Sequence, residues 1–469
     1  MPASRHGLVP EGIASGASAA RPETGADKRR LSSVRTLITH AVLVDGTGAP
    51  LRVGVSVTID DHLIEEVVPK PAPYYDTAEV VIDARGGFVL PGVINHHVHG
   101  LTRGPLMIVG EPPLTDARMR ANLDRLLSQG VTTALNVDGY ATTEEAIASS
   151  RFHPLTVKVT TLHTPTHLAW ATEGPFPFGG VKERHRWTLD EMLARGAPAI
   201  GEAGPGVDAH WTDYTLIPQS IARLGGRVHM EDAREIRLAC ERGDRARVEE
   251  LVREAGVSNG HVDDVVAIHE ATVEWRRLAQ QALEEAVAAA RERDVPIVLH
   301  HTPGTFEVVM DAAGALGRQV VAAHSNFQIH DPDDAARRAR AIRERGALVD
   351  IMSGDAFSAR EFHPTPDVTF RLLAEGLVDL ISTDYAGGFW DPMLLLVEKA
   401  AEAGATSIEE GVRLMTSAVV DAIPALAPDR GRIVAGAVAD VVVTEPGRLS
   451  AVREVLVSGA LVDLPPRRW

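Results

Sequence analysis

The chain carries two kinds of hydrophobic pattern, which separate a central part from two flanks. The flanks hold short β-branched runs divided by turn residues such as Asp45-Gly46-Thr47-Gly48, a pattern typical of small antiparallel β structure. The centre alternates short apolar runs with helical stretches, of which 271–293 is the clearest because apolar residues recur there every three or four positions. This alternation predicts an α/β fold with a (β/α)8, TIM-like barrel.

The same patterns predict the organisation of the chain. Residues 1–33 are rich in Ala, Gly, Ser, Pro and charge, which predicts a disordered N-terminal tail. Residues 34–90 and 428–465 share the β-rich pattern, so we expect one small composite β domain built from both ends of the chain. Residues 91–427 would then form the barrel.

Nine apolar runs compete for the eight strand positions of the barrel. They are 92–99, 131–137, 157–163, 199–203, 227–231, 297–301, 320–324, 347–351 and 380–384. If 227–231 were the fifth strand, one strand too many would follow; if it lies in an insertion, 297–301 takes that place and the others fit. We therefore expect a largely helical insertion at about 207–270 over the C-terminal face of the barrel, where it would help to shape a pocket.

Composition and charge exclude several classes of protein. The chain of 469 residues has 64 acidic and 47 basic residues, a net charge of −17, and no basic block, so we expect no nucleic-acid partner and no anionic membrane partner. Its single cysteine excludes an internal disulfide and a cysteine-cluster zinc site. No apolar run reaches the roughly 18–20 residues that span a bilayer. We expect a cytoplasmic enzyme.

The sharpest chemical signal lies in the first barrel run, which reads PGVINHHVH over 91–99. Side chains two positions apart on a strand point the same way, so His97 and His99 project together and His96 faces the other side. Two imidazoles side by side at a strand end are suited to binding a metal ion.

Other apolar runs also end in side chains that bind metals. The run 199–203 carries Glu202 near its end, 297–301 ends in His300 and His301, 320–324 ends in His324, and 380–384 ends in Asp384. Periodicity does not decide between His300 and His301, which face opposite sides. The carboxyl ends of barrel strands lie on one face, so these groups are expected to form a nitrogen and oxygen site of the Zn²⁺ type, with a carboxylate available for proton transfer.

At this point the chain resembles a known family. The run PGVINHHVH is similar to the signature of the amidohydrolase superfamily of metal-dependent hydrolases, and the β-rich flanks resemble its composite β domain. Within it, the nearest likeness is to enamidase, through the glycine–glutamate motif of 201–206, the HTPG of 301–304 and the aspartate motif of 384–388. Asn95 departs from the pattern, because the family usually has aspartate at that position.

The resemblance implies roles for individual residues. One ion would be held by His97, His99 and Asp384, and a second by His301 and His324. The bridge between them would be Glu202, where many relatives use a carboxylated lysine. The resemblance thus favours His301 over His300. Asp384 would also be the general acid and base, and the remaining two candidates, for substrate binding, are His163 and Tyr385.

The function that follows is hydrolysis of a C–N bond in a non-standard or cyclic amide by attack of a metal-bound hydroxide. The cofactor would be Zn²⁺, as one or two ions, and a mixed zinc and iron pair is also compatible. The partner would be a small-molecule or peptide-derived amide, handled by a homo-oligomer in bacterial specialised metabolism. Two alternatives remain open: an amidohydrolase or deaminase that tailors a peptide-derived natural product, and a non-catalytic scaffold on the same fold.

Overall fold

The computed structural model describes residues 35–69, 78–327, 330–354, 366–384 and 391–465. The predicted N-terminal tail of 1–33 lies outside the described residues. The β-strands are β1 (Arg35–Leu43), β2 (Arg52–Asp60), β3 (Leu63–Pro69), β4 (Val80–Asp83), β5 (Gly87–Pro91), β6 (Val93–Val98), β7 (Val131–Asn136), β8 (Thr156–Val159), β9 (Ile200–Ala203), β10 (Ile297–His300), β11 (Val320–Ala323), β12 (Leu348–Met352), β13 (Leu380–Ser382), β14 (Val441–Pro446), β15 (Arg448–Val457) and β16 (Ala460–Val462).

Helices follow most of the central strands. The α-helices are α1 (Asp116–Ser128), α2 (Thr143–Phe152), α3 (Pro165–Glu173), α4 (Leu189–Ala194), α5 (Ala209–Trp211), α6 (Ile217–Arg223), α7 (Met230–Glu241), α8 (Arg245–Glu254), α9 (Val262–Arg293), α10 (Phe306–Leu316), α11 (Pro332–Glu344), α12 (Pro366–Ala374), α13 (Met393–Glu402), α14 (Ile408–Leu414) and α15 (Ser417–Ala422). A π-helical turn, Thr212–Leu216, joins α5 to α6. Among the described residues, none of these helices combines the length and the apolar character needed to cross a membrane.

Strands β6 to β13 form a parallel barrel in chain order. They pair as two sheets, β6-β7-β8 and β9-β10-β11-β12-β13. A parallel bridge between Thr161 and Ile200 joins the sheets on one side. On the other side, the backbone N–H of Asp384 donates to the carbonyl of His97 at 3.0 Å. Within 78–327, the run 227–231 forms no strand, because α7 begins at Met230.

The alternation of side chains along these strands separates the barrel interior from its outer layer. Ile94, Leu135, Val298 and Leu348 belong to an interior apolar cluster that also includes side chains of α15. Their neighbours along the strands, such as Leu299, pack in the larger cluster shared with the surrounding helices. Because apolar residues fill the barrel below, the polar residues at the strand ends collect at its C-terminal face.

Outside the barrel, an eight-stranded sheet combines both flanks of the chain. Its order is β16-β15-β14-β5-β1-β2-β3, with β4 paired to β1. The chain passes from β5 into β6 at Gly92, where a Cβ atom would collide with the side chain of Thr132. Glycine is therefore required at this passage, which fixes the start of the strand that carries His97 and His99.

The segment between β9 and β10 contains α5 to α9. Helix α9 begins at Val262, nine residues before the stretch expected from the sequence, because its first turns pack against α6, α7 and α8. Val262 and Val265 belong to a small core that those helices share. The periodic stripe from Trp275 to Ala290 packs instead with the helices around the barrel, which explains why only that half of α9 was evident from the sequence.

Candidate metal centre

Four side chains from β6, β9 and β13 place one atom each around a common point. His97 Nε2 lies 3.4 Å from both Glu202 Oε2 and Asp384 Oδ1. His99 Nε2 lies 3.6 Å from the same two oxygens. Four tetrahedral ligands with bonds of about 2.0–2.1 Å to an ion would be roughly 3.4 Å from one another. The four nitrogen–oxygen distances therefore match the ligand spacing of a tetrahedral metal site.

The other carboxylate oxygen of Glu202 faces a second pair of histidines. Glu202 Oε1 lies 2.7 Å from His300 Nδ1 and 2.8 Å from His324 Nε2. These are hydrogen-bond distances, so the carboxylate accepts from ring N–H groups on this side. Glu202 is 2% exposed and thus connects two histidine pairs inside the protein. Metal-type ligand atoms of His97, Glu202, His324 and Asp384 all lie within 4.8 Å of one another.

The charges of this cluster are strongly coupled. Burial alone would lower the pKa of His97, but Glu202 and Asp384 raise that pKa to about 10. Burial would also lower the pKa of His324, but the hydrogen bond to Glu202 and the charges of Asp384 and Glu202 together raise it. Burial would raise the pKa values of both carboxyl groups, yet the surrounding histidines lower them. In this arrangement the two carboxylates favour positive charge at their centre.

Two further observations test whether a divalent cation fits here. Both ring nitrogens of His97 are buried, and neither has a hydrogen-bond partner among the described residues. His99 turns Nε2 toward the centre because its Nδ1 lies 3.0 Å from Asp138 Oδ1. A carboxylate behind a metal-binding histidine fixes the ring and raises its basicity. The residues present therefore fit an ion that prefers nitrogen and oxygen ligands.

Asp138 is a member of the site that the sequence analysis missed. It follows β7, and its Oδ2 also accepts the backbone N–H of Gly100 at 2.9 Å. The signal was present in the sequence, because Asp138 comes directly after the apolar run 131–137, as Glu202 and Asp384 do after theirs.

The structure brings His300, and not His301, to the cluster. Val298 faces the barrel interior, so His300 two positions later faces the same way, whereas His301 points outward. His301 Nδ1 lies 2.9 Å from Ser325 Oγ, and its ring packs 4.9 Å from that of His330. Burial lowers the pKa of His301 well below its usual range, and the neighbouring His330 and His324 lower it further. The assignment of His301 by resemblance therefore differs from the structure by one residue.

Of the two expected substrate contacts, His163 is not brought to the cluster. His163 Nδ1 lies 2.9 Å from Thr161 Oγ1, and the ring packs edge-on against Tyr140 at 6.4 Å. Burial lowers its pKa to about 4. His163 is not among the residues that line the cavity beside the cluster. Tyr385 lies outside the described residues.

That cavity has a volume of about 410 Å³ and reaches the candidate ligands His99, Glu202, His300 and Asp384. Leu106 and Met107 line one part of it, and the segment after β9 lines another. A polar cluster at the inner end of a largely apolar cavity is the usual form of a small-molecule site. The cavity and the cluster can therefore be parts of one site.

The parallel barrel, the flanking sheet from both ends of the chain and the cluster at the strand ends define the class. This is the fold of the amidohydrolase superfamily. The structure of β-aspartyl dipeptidase from Fervidobacterium islandicum AW-1 matches 92% of this chain and 96% of its own, with a TM-score of 0.55 and 15% identity. Dihydropyrimidinase from Brevibacillus agri NCHU1002 matches 91% and 95%, with a TM-score of 0.52 and 15% identity.

A sequence relative points the same way. Imidazolonepropionase of Salinispora arenicola (strain CNS-205) is 28% identical over 231 residues, which are 42% of this chain and 56% of that protein. The match thus spans little more than half of the relative. No protein-family model matches the chain. The predicted fold class and the resemblance to the amidohydrolase superfamily are confirmed, whereas the narrower likeness to enamidase stays a prediction.

Proposed function

We propose that this chain is a metal-dependent amidohydrolase that cleaves a C–N bond of a non-standard or cyclic amide. The observation that carries the proposal is the position of Glu202 between two histidine pairs, with Asp384 completing the first. The names of two similar proteins support it, because imidazolonepropionase and dihydropyrimidinase are named for cyclic C–N compounds. Expected cytoplasmic location, homo-oligomeric state and bacterial specialised metabolism stay predictions.

His97, His99, Glu202 and Asp384 would hold one ion, and Glu202, His300 and His324 would hold a second. We propose zinc, because nitrogen and oxygen ligands without sulfur suit it, although a mixed zinc and iron pair would use the same ligands. When bound, such an ion makes water more acidic and polarises a carbonyl.

The side chains of the chain itself have distinct tasks in the reaction. Asp384 would accept the proton of the attacking water and return it to the departing nitrogen, since its carboxylate borders the cavity and its lowered pKa keeps it ionised. Asp138 would hold the ring of His99 in place. Leu106 and Met107 would limit the entry of bulk water.

A second candidate is a deaminase that binds a single ion and acts on an amidine or amide of a peptide-derived compound. The difference between the two sides of Glu202 favours this single-ion candidate. His97 and His99 stand at ligand spacing from Glu202 Oε2, whereas His300 and His324 stand at hydrogen-bond distance from Glu202 Oε1. A single ion on the His97 side would leave the other pair as proton donors.

Metal content tests both candidates. The wild type would be compared with the double variant His97→Ala/His99→Ala by plasma mass spectrometry, after zinc loading and buffer exchange. We expect about one equivalent of tightly held zinc for the deaminase and about two for the binuclear hydrolase, lost in the double variant. The matched control is His40→Ala/His62→Ala, whose side chains are 62% and 57% exposed on the β sheet.

Turnover distinguishes the reactions. Hydantoin and dihydrouracil are probes for ring opening, and ammonia release from a small amidine is the probe for deamination. A folded wild-type protein that takes up no zinc and turns over none of these probes would contradict the proposal and favour the non-catalytic scaffold.

A further inference from the structure

The cavity beside the metal centre has a wall of aromatic side chains for which the proposed chemistry has no use. We call His210, Trp211, Tyr214 and Phe327 the aromatic wall; all four line the cavity. The first three lie between β9 and β10, in α5 and the π-helical turn, and Phe327 follows β11.

The rings of the aromatic wall form a continuous series that starts at the metal centre. The Phe327 ring lies 5.7 Å from that of His324, and His210 packs edge-on against Phe327 at 5.5 Å. Tyr214 stacks on His210 at 6.4 Å with an interplanar angle of 16°, and Trp211 lies 6.2 Å from Tyr214. Centroid separations of about 4.5–7 Å are those at which aromatic rings attract one another.

The wall is uncharged and partly open to solvent. Burial lowers the pKa of His210 to about 4, so its ring is neutral at neutral pH. Tyr214 is 45% exposed, and Ile108 across the same cavity is 41% exposed. A contiguous apolar surface beside a cavity is typical of a ligand-binding groove. The cavity therefore offers a flat group an apolar place to pack.

Two polar contacts hold the wall in place. Arg237 donates to both carboxylate oxygens of Asp213, at 2.7 and 2.9 Å, and Asp213 lies in the π-helical turn beside Tyr214. The hydroxyl of Thr302 donates to Asp208, which precedes α5. The wall is thereby attached both to α7 and to the loop after β10. A wall fixed before binding loses little entropy when a ligand packs on it.

We propose that the aromatic wall is a subsite for a planar aromatic or heteroaromatic group adjoining the C–N bond of the substrate. The inference rests on the proposed function, since that bond would lie at the metal centre. It narrows the substrate class to amides with a flat ring next to the reacting carbonyl. The wall begins at Phe327, directly beside His324, so a ring in the subsite would lie next to the reacting atoms.

The test compares two fluorinated amides by ¹⁹F NMR on the zinc-loaded protein. 4-Fluorobenzamide carries a ring next to its carbonyl, and trifluoroacetamide does not. We expect the aromatic amide to bind about ten- to hundredfold more tightly, the value that burying one large apolar group gives. Tyr214→Ala and Trp211→Ala should each remove most of that preference. Tyr214→Phe should keep it, because the ring is retained.

The control and the outcomes separate this proposal from the proposed function. Val273→Ala removes a side chain that is 46% exposed on α9 and does not line the cavity, so the preference should stay unchanged. Equal affinity for the two amides, or a preference that survives both alanine variants, would overturn the subsite. The line-broadening measurement needs neither metal nor turnover and is repeated on metal-free protein. A preference for the aromatic amide on metal-free protein, with no zinc uptake, would support the subsite and refute the proposed hydrolase. Zinc uptake and turnover without that preference would support the hydrolase and refute the subsite.

Discussion

Two groups of buried histidines in this protein look alike in the sequence and differ in the structure. Those around Glu202 have carboxylate neighbours, which hold the pKa of His97 at about 10. His163 follows β8 and His167 lies in α3; their rings contact the hydroxyls of Thr161 and Thr164, and burial lowers their pKa values to about 4 and about 3. His301 and His330 resemble this second group.

The difference teaches that a histidine at a strand end does not by itself indicate a metal site. Its carboxylate neighbours must also be known. A neutral buried imidazole with a hydroxyl partner, such as His163 with Thr161, stabilises the core. An imidazole that shares a carboxylate with others, such as His97, requires a cation or protons to balance the charge.

The largest effect is expected at Glu202, which joins the two sides of the first group. Glu202→Gln keeps the shape but removes the charge, so the variant should lose bound zinc and at least about a thousandfold in kcat/KM. Metal analysis and hydrolysis of the best probe amide would measure both. Glu145→Gln is the matched control, because Glu145 also contacts a buried histidine, His185, at 3.1 Å. Normal zinc content in Glu202→Gln would contradict the distinction between the histidines around Glu202 and the neutral buried histidines.

A pair of neighbouring histidines gives the next largest effect. His300→Ala removes a ring that contacts Glu202, so we expect loss of the zinc held on that side and at least about a hundredfold lower activity. His301→Ala, one residue away, should keep the zinc content and lose only stability. The reverse result, with zinc lost in His301→Ala alone, would restore the assignment that the resemblance favoured.

The sequence could predict most of the barrel and most of the site, for a physical reason. The apolar runs of the barrel end in polar residues, so Glu202, His324 and Asp384 could be identified as candidate ligands from their positions at the ends of those runs. The register at the end of β10 could not be identified, because His300 and His301 are consecutive and a shift of one residue exchanges the faces of the strand. The start of α9 was also missed, since its first turns pack on a small core that forms only in the folded insertion.

The second group predicts a dependence of stability on pH. The pKa of His163, at about 4, lies below the value of about 6.5 in an unfolded chain, so the unfolded state binds more protons as the pH falls. Stability is therefore complete above pH ~6.5 and is lost as the pH falls toward ~4, by up to about 3 kcal/mol for this residue.

Denaturant unfolding of wild type and His163→Asn between those pH values measures the effect. The variant should be less stable at neutral pH and show a shallower loss on acidification. His40→Asn, on an exposed histidine, is the control and should follow the wild type. Parallel pH profiles for wild type and His163→Asn would show that His163 does not titrate as a buried neutral group.

The smallest effect is expected at Asn95, where the family usually has aspartate. Asn95 Nδ2 donates to Thr383 Oγ1 at 2.7 Å, and Oδ1 accepts the backbone N–H groups of His97 and Thr383 at 3.4 and 3.3 Å. In Asn95→Asp the two backbone bonds persist, and the hydroxyl of Thr383 can reverse its role and donate. We therefore expect less than a tenfold change in activity, because the strand ends stay in place. Asn95→Leu is the comparison, since it removes all three bonds and should lower zinc affinity more than the aspartate does. If Asn95→Asp lost its zinc, the Glu202 group would depend on the charge at this position as well as on the bonds made there.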